Sequence, residues 1–215
     1  MGVHGAGVVT SGRSVFPGDD DAARPGPRLR PLRAEDAPQV LEAFASDPDM
    51  VRQGTVRTLA DAEDYVLRAS DPAAGAAWAL CDGSPLVGLI GITIDEKNKS
   101  GWFWYWMTSR SRGRGWTARA AATVADWALS ERGLQRLELG HRVNNPASGA
   151  VARSAGFVKE GTERGKFLID GLRVDVDTYG RLASDPWPAY SAVPFAETSA
   201  ESKTAPCQGS TADVI

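Results

Sequence analysis

Two cysteines, two histidines and three methionines are spread over 215 residues, too few and too scattered for a metal-centred or disulfide-framed protein. Cys81 and Cys207 lie far apart, form no zinc-ligand spacing and suit a reducing compartment. Long apolar runs are also missing: roughly 18 apolar residues never run together. The start, "MGVHGAGVVTSGR", lacks a charged leader followed by an apolar stretch. These absences argue against a membrane span and make the cytoplasm the expected compartment. An excess of positive charge is lacking too, since 24 Lys and Arg stand against 27 Asp and Glu for a net charge of -3. No global field therefore draws in nucleic acid or an acidic membrane surface, and any basic character must be local. Repeats at solenoid spacing are absent as well.

The chain is ordinary in bulk, 42% hydrophobic and 24% charged, which is enough for one buried core and one domain. Residues 1–27 are rich in Gly, Pro, Ser and Asp without periodicity and read as a flexible leader. Residues 183–215 have the same texture and read as a flexible tail, although Trp187, Tyr190 and Phe195 give that tail the means to dock. Residues 28–182 are the domain between them. There "RLRPLRAED" predicts a short strand passing into a helix, with Val40, Leu41 and Phe44 on one face. Thr58, with Asp61 three residues on, starts a second helix over "LADAEDYVLRA". Three strands follow in "AAWALC", "LVGLIGITI" and "GWFWYWM". Next come a helix from about Gly115 to Arg132, the strand "LQRLELGHRV" and a short helix with Pro146 in its first turn. "GFVKEG", "KFLI", an Asp170-Gly171 turn and the alternating "RVDVDTYG" close the domain. This order predicts an α/β fold, a mixed sheet with helices on both faces.

The chemistry concentrates at "RSRGRG", which lies between a buried strand and the first turn of a helix. Gly113 and Gly115 permit positive φ and close approach of backbone N–H groups to a ligand, and the helix start adds donors and partial positive charge. Arg110, Arg112 and Arg114 add local cations, so a phosphorylated ligand is expected there. A Gly/Arg run is also common in flexible loops and RNA-binding tails, but a tail needs neither the strand before it nor the helix after it.

Over residues 28–182 the chain resembles the GNAT N-acetyltransferases, specifically their RimJ/RimL-type branch. The resemblance rests on "LRPLRAEDAPQVLEAF", "YWM" with "RSRGRGWTARAA", "LQRLELGHRVNNPASGAVARSAGFVKEG" and "FLIDGLRVDVDTYGRL", in family order. Arg110, Gly113 and Gly115 fill the family's phosphate-loop signature. The resemblance implies the GNAT fold, a central mostly antiparallel sheet with a splayed pair of strands. It also implies acetyl-CoA as co-substrate and no metal. Tyr105, Trp106, Met107 and Thr108 would then hold the pantetheine arm and thioester, where donors fixed by a sheet can stabilise developing oxyanion charge. The loop from Arg112 through Gly113, Arg114, Gly115 and Trp116 to Thr117 would offer backbone amides to the pyrophosphate. Asn145 and Ser148 match the branch's Asn, two residues, Ser pattern, with Asn145 on the coenzyme arm and Ser148 on the departing thiol. Both residues are also favoured helix caps.

The tyrosine that many GNAT enzymes carry four residues before the Gly-Phe pair is replaced here by Ala152, which shifts thiolate protonation to Ser148 or water. Glu138 and His141 are the candidate bases. An acid that ribosomal-protein-acetylating members carry six residues after the Gly of the "EG" pair is replaced by Phe167, which argues against that acceptor. The expected acceptor is a primary amine, either a protein N-terminus or a small molecule such as an antibiotic. Asp47, Asp49, Asp61, Glu63 and Asp64 stand in the region that selects it. Succinyl transfer, a silent coenzyme-binding sensor and RNA binding through "RSRGRG" are the alternatives. No nucleic acid or membrane partner is expected, and a homodimer is allowed.

Overall fold

The computed structural model describes residues 26–196. The expected leader over 1–27 therefore lies outside the described residues except for its last two positions, as do Cys207 and the rest of the chain after 196. Seven strands and four α-helices follow in the expected order: β1 Arg28–Pro31, α1 Ala37–Ser46, α2 Leu59–Ala69, β2 Gly75–Cys81, β3 Leu86–Asp95, β4 Ser100–Met107, α3 Trp116–Ser130, β5 Arg136–Arg142, α4 Pro146–Ser154, β6 Val158–Ile169 and β7 Leu172–Leu182. The start of α2 is a reciprocal cap. Asp61 N–H donates to Thr58 Oγ1 at 3.1 Å, and Thr58 N–H donates to Asp61 Oδ2 at 2.9 Å. "GFVKEG" and "KFLI" form one strand, β6, interrupted by bulges between Lys159 and Gly161 and between Glu163 and Phe167.

The strands make one seven-stranded sheet in the order β1-β2-β3-β4-β5-β7-β6. All neighbours are antiparallel except β4 and β5, whose connection carries α3 as a crossover. Alternation along β4 feeds two cores. Phe103 and Met107 face α3 and α4 and pack with Ala121, Val124, Ala125 and Leu137. Trp106 faces α1 and α2 with Val40, Phe44 and Val66, and meets Phe44 edge-on at 6.1 Å. Each of these buried rings contributes on the order of 2 kcal/mol or more, so β4 is fixed on both faces. Among the described residues no helix is long and apolar enough to cross a membrane.

The segment after β7 departs from the flexible tail expected from 183, because residues 183–196 lie on the domain. Val193 is fully buried and its N–H donates to Thr123 Oγ1 at 3.0 Å. Leu29 N–H donates to Pro194 O at 2.9 Å and Ala196 N–H to Leu29 O at 2.6 Å, so this stretch covers the open edge of β1. Tyr190 O–H donates to Asp126 Oδ2 at 2.6 Å, and the buried Arg181 guanidinium pairs with Asp126 Oδ1. A low-periodicity segment can thus be ordered by a few aromatic and backbone contacts that leave no pattern in sequence.

Candidate active site

The parallel pairing of β4 with β5 lasts only from Ser100↔Arg136 to Trp102↔Glu138. Beyond it β4 stays on β3 as far as Met107↔Gly88, while β5 stays on β7 as far as Arg142↔Val176. The two strands open into a V whose inner backbone groups are left without a strand partner. Glycine permits the bulk inside it: a Cβ at Gly140 would come within 3.2 Å of the Trp102 ring, and one at Gly91 would overlap the Trp104 indole. A cleft of about 250 Å³ fills the V, and a second of about 360 Å³ adjoins it across Arg52, Gln53 and Trp104.

The start of α4 reaches across the V to β4. Tyr105 O–H donates to Ser148 O at 2.8 Å, and the two hydroxyls are 3.0 Å apart. Burial pushes the Tyr105 phenol up to about 12, so it stays protonated at neutral pH. With the phenol hydrogen on the Ser148 carbonyl, the Ser148 hydroxyl hydrogen is left for the phenol oxygen or for a ligand. Asn145 is the helix cap, its Oδ1 accepting from Ser148 N–H at 3.3 Å. The capping role therefore falls on Asn145 alone, and the Ser148 side chain faces the cleft. Gly149 lets α4 sit against β5, since a Cβ there would stand 2.6 Å from His141 Nε2.

His141 is buried and lines the cleft, with both ring nitrogens engaged. Nδ1 lies 2.9 Å from Arg142 O, a pure acceptor, so it carries hydrogen, and Nε2 lies 3.3 Å from the Tyr179 hydroxyl. Glu138 is not brought into this group. It sits at the closed end of the V and accepts from Arg136 Nε at 2.8 Å, while Arg136 also clamps Glu160. Position on the strand put Glu138 among the candidate bases; its facing partner on the same surface removes it from the cleft.

At the open end of β4 the loop turns through Thr108 into α3. Gly113 and Gly115 have φ of +80° and +72°, and a Cβ at either would meet nothing within 4 Å. This is a backbone turned toward open space. Thr108 N–H donates to Val87 O, Ser111 N–H to Thr108 O and Arg112 N–H to Ser109 O. The amides of Thr108 and Arg112, both expected on the ligand, are therefore spent. Those of Gly113 to Ala118 have no protein acceptor among the described residues, since the first helical bond is made by Arg119. Thr108 Oγ1 is buried without a partner.

The loop arginines are not free cations. Arg110 pairs with Glu42 at 3.3 Å, Arg112 with Asp47 at 2.6 Å and Arg114 with Asp82 at 3.6 Å, and the Arg114 guanidinium also lies 4.7 Å above the Trp116 ring. Trp106 points its indole away from the cleft and donates from Nε1 to Tyr65 Oη at 3.1 Å, so only its backbone faces the V. Met107 is buried in the other core.

Sequence reasoning passed over Trp104, Arg52, Gln53 and Arg142, which line the cleft, and Tyr179 behind it. Trp104 was legible as the middle of an aromatic run on the splayed strand. Arg52 and Gln53 sit in a short 3-10 stretch with no pattern of their own.

A family model described as Acetyltransferase (GNAT) domain matches residues 28–158. The chain belongs to the GNAT acetyltransferases. Similar solved folds include RimL, described as a ribosomal L7/L12 α-N-protein acetyltransferase in complex with coenzyme A, at 19% identity, TM-score 0.68, covering 73% of this chain and 94% of that one. A ribosomal-protein-S5-alanine acetyltransferase from Vibrio fischeri is 18% identical with TM-score 0.67 over 77% of this chain and 97% of that one. A spermidine N-acetyltransferase chimera of the Vibrio cholerae enzyme and hSSAT is 22% identical with TM-score 0.67 over 74% of this chain and 97% of that one. No curated protein matches this GNAT chain. The fold neighbours include members of the branch that the motifs resemble.

Proposed function

We propose that this GNAT protein transfers an acetyl group from acetyl-CoA to a primary amine, on a small molecule or a protein N-terminus, by direct attack while both are bound. One observation carries the reading: the V between β4 and β5 has a hydroxyl pair, Tyr105 and Ser148, across it, and a row of uncommitted amides from Gly113 to Ala118 beyond its open end. Those amides and the α3 N-terminus fit a pyrophosphate, Thr108 Oγ1 is a buried acceptor and donor in search of a partner, and the unpaired inner edge of β4 fits an extended amide-bearing arm. When bound, acetyl-CoA supplies the acyl group as an activated thioester.

Ser148 is then the donor to the departing sulfur, held in place by Tyr105, whose phenol hydrogen sits on the Ser148 carbonyl and leaves the Ser148 hydroxyl hydrogen for the ligand. Ala152 is fully buried and its methyl has no proton to give. Among the described residues no carboxylate lines the cleft, and His141 can take the amine proton only on Nε2, once the Tyr179 hydroxyl gives up that nitrogen. Proximity in the V supplies much of the rate.

Calorimetric titration with acetyl-CoA, followed by thiol release with a panel of primary amines, tests the reading. Saturable binding and amine-dependent thiol release are expected. Absence of acetyl-CoA binding overturns it, and binding without turnover for any amine replaces it with a silent sensor.

A further inference from the structure

The mouth of the cleft differs in charge from what a polyamine acceptor needs. Among the described residues neither of the two adjoining clefts is lined by Asp or Glu. Four acids of the selecting region are already engaged, Asp47 with Arg112, Asp49 with Arg52, Asp61 in the α2 cap and Asp64 with Arg68, and Glu63 lines neither cleft. What lines the main cleft instead is a pair of cations. Arg52 is partly shielded, and its one carboxylate partner among the described residues, Asp49 at 2.9 Å, stands outside the cleft lining. Arg142 has no carboxylate partner among the described residues, and its guanidinium lies 5.3 Å from the Phe167 ring centroid. Burial holds the Arg142 guanidinium below its ordinary range, and the nearby Arg52 charge adds to that effect, with Asp49 opposing it.

Two like charges brought together in a half-buried cleft favour a charge of opposite sign between them, and Asp49 meets that need only in part, from the Arg52 side and outside the lining. The Arg142 guanidinium lies over the Phe167 ring, and among the described residues its donors make no hydrogen bond, which leaves them for carboxylate or phosphate oxygens. Gln53 adds an amide and Trp104 an apolar face to the same lining, which also holds Tyr105 and Ser148.

We propose that the acceptor is a primary amine that also carries an anionic group, carboxylate or phosphate, and that Arg142 and Arg52 bind that anion while Trp104 and Phe167 bracket the body of the molecule. This rests on the acetyl-transfer reading above and narrows its acceptor. The amine lies toward Ser148, the anion toward the mouth, and a polycation such as spermidine finds no counter-charge.

The test is steady-state thiol release by the full chain with acetyl-CoA and matched amine pairs: phenylalanine against phenethylamine, O-phosphoethanolamine against ethanolamine, an N-terminal peptide with acidic second and third residues against its neutral counterpart, and spermidine alone. In at least one pair the anionic member is expected to exceed its partner in kcat/KM by roughly tenfold to a hundredfold, the worth of a charged hydrogen-bonded contact, and the pair with the largest ratio names the source of the anion. Arg142→Gln collapses that ratio chiefly through KM, and Arg142→Lys restores part of it. Melting temperature and acetyl-CoA affinity verify that each variant is folded. Preference for spermidine or the uncharged amines, a ratio that survives Arg142→Gln, or no turnover of any anionic amine by protein that binds acetyl-CoA overturns the proposal. Failure to bind acetyl-CoA at all strikes the acetyl-transfer reading instead.

Discussion

At the loop end of the cleft Arg110, Arg112 and Arg114 each meet a carboxylate, from α1, the turn after it and the β2–β3 turn, whereas at the mouth Arg142 meets the face of Phe167 and no carboxylate among the described residues. The richer run of arginines is thus the one whose charge is largely spent. Its side chains tie the loop to the neighbouring elements, and its free capacity lies in backbone amides that the glycines turn outward. In the proposed reading, anion binding at one end of the V is a property of the main chain, and at the other of two side chains. Between them stands the hydroxyl pair that belongs to neither.

The largest effect is expected where the two ends meet. Ser148→Ala should lower kcat by roughly a hundredfold, the usual order for one preorganised donor at a site of developing charge, with acetyl-CoA affinity little changed. Tyr105→Phe should lower it less, about tenfold, because the Ser148 hydroxyl survives while losing its partner. A rise in coenzyme Kd equal to the loss in kcat would make Ser148 a binding residue and shift it to the loop side of the comparison. Separate measurement of kcat and Kd decides.

The loop's reliance on backbone is tested at Gly115, which takes φ of +72° at the start of α3. Gly115→Val should weaken acetyl-CoA about tenfold, since a β-branched residue rejects this conformation and turns the amide away, although its Cβ has room. Gly115→Asn, which tolerates the left-handed region, should keep most of the affinity. Equal losses in the two variants, read by calorimetry, would mean that side-chain volume and not backbone direction matters.

Much of this layout was legible because local rules and tertiary demands agreed. The glycine spacing, the aromatic run and the Thr58–Asp61 cap each point one way, and the order of elements along the chain followed from periodicity and turn residues. What was not legible depends on partners distant in sequence. Nothing near Arg112 announces Asp47, nothing near Arg136 announces that Glu160 joins Glu138 on its guanidinium, and the docking of Val193 depends on Thr123 and the edge at Leu29. Spacing placed His141 on β5, but only the fold shows that Tyr179 and Arg142 O occupy its two nitrogens.

The clamp between Asp47 and Arg112 predicts a pH signature confined to the loop end. The Asp49 amide holds the Asp47 carboxyl below its ordinary value of 3.8, with Arg112 adding to it and burial opposing. A depressed carboxylate adds stability that is present above 3.8 and is lost as pH falls through the lower folded value. Asp47→Asn should therefore lower stability by about 1 kcal/mol at neutral pH. Its melting curve should converge on that of the wild type in acid below that value. A constant gap across the whole range would remove the ion pair from the cause.

The smallest effect is expected at Arg110, although it fills the first position of the family's phosphate-loop signature. Its partner Glu42 is 3.3 Å away and both side chains are more than 60% exposed, so the pair contributes within about 0.5 kcal/mol. If the loop binds through amides, Arg110→Gln should change acetyl-CoA affinity by less than about threefold, against the tenfold or greater loss of anionic-acceptor kcat/KM expected for Arg142→Gln. Salt sharpens the contrast. Raising ionic strength screens exposed charges first, so the wild-type acceptor KM should climb with salt while the coenzyme Kd moves less. A coenzyme Kd that rises steeply with salt and loses that slope in Arg110→Gln would return the loop arginine to the anion and erase the difference between the two ends.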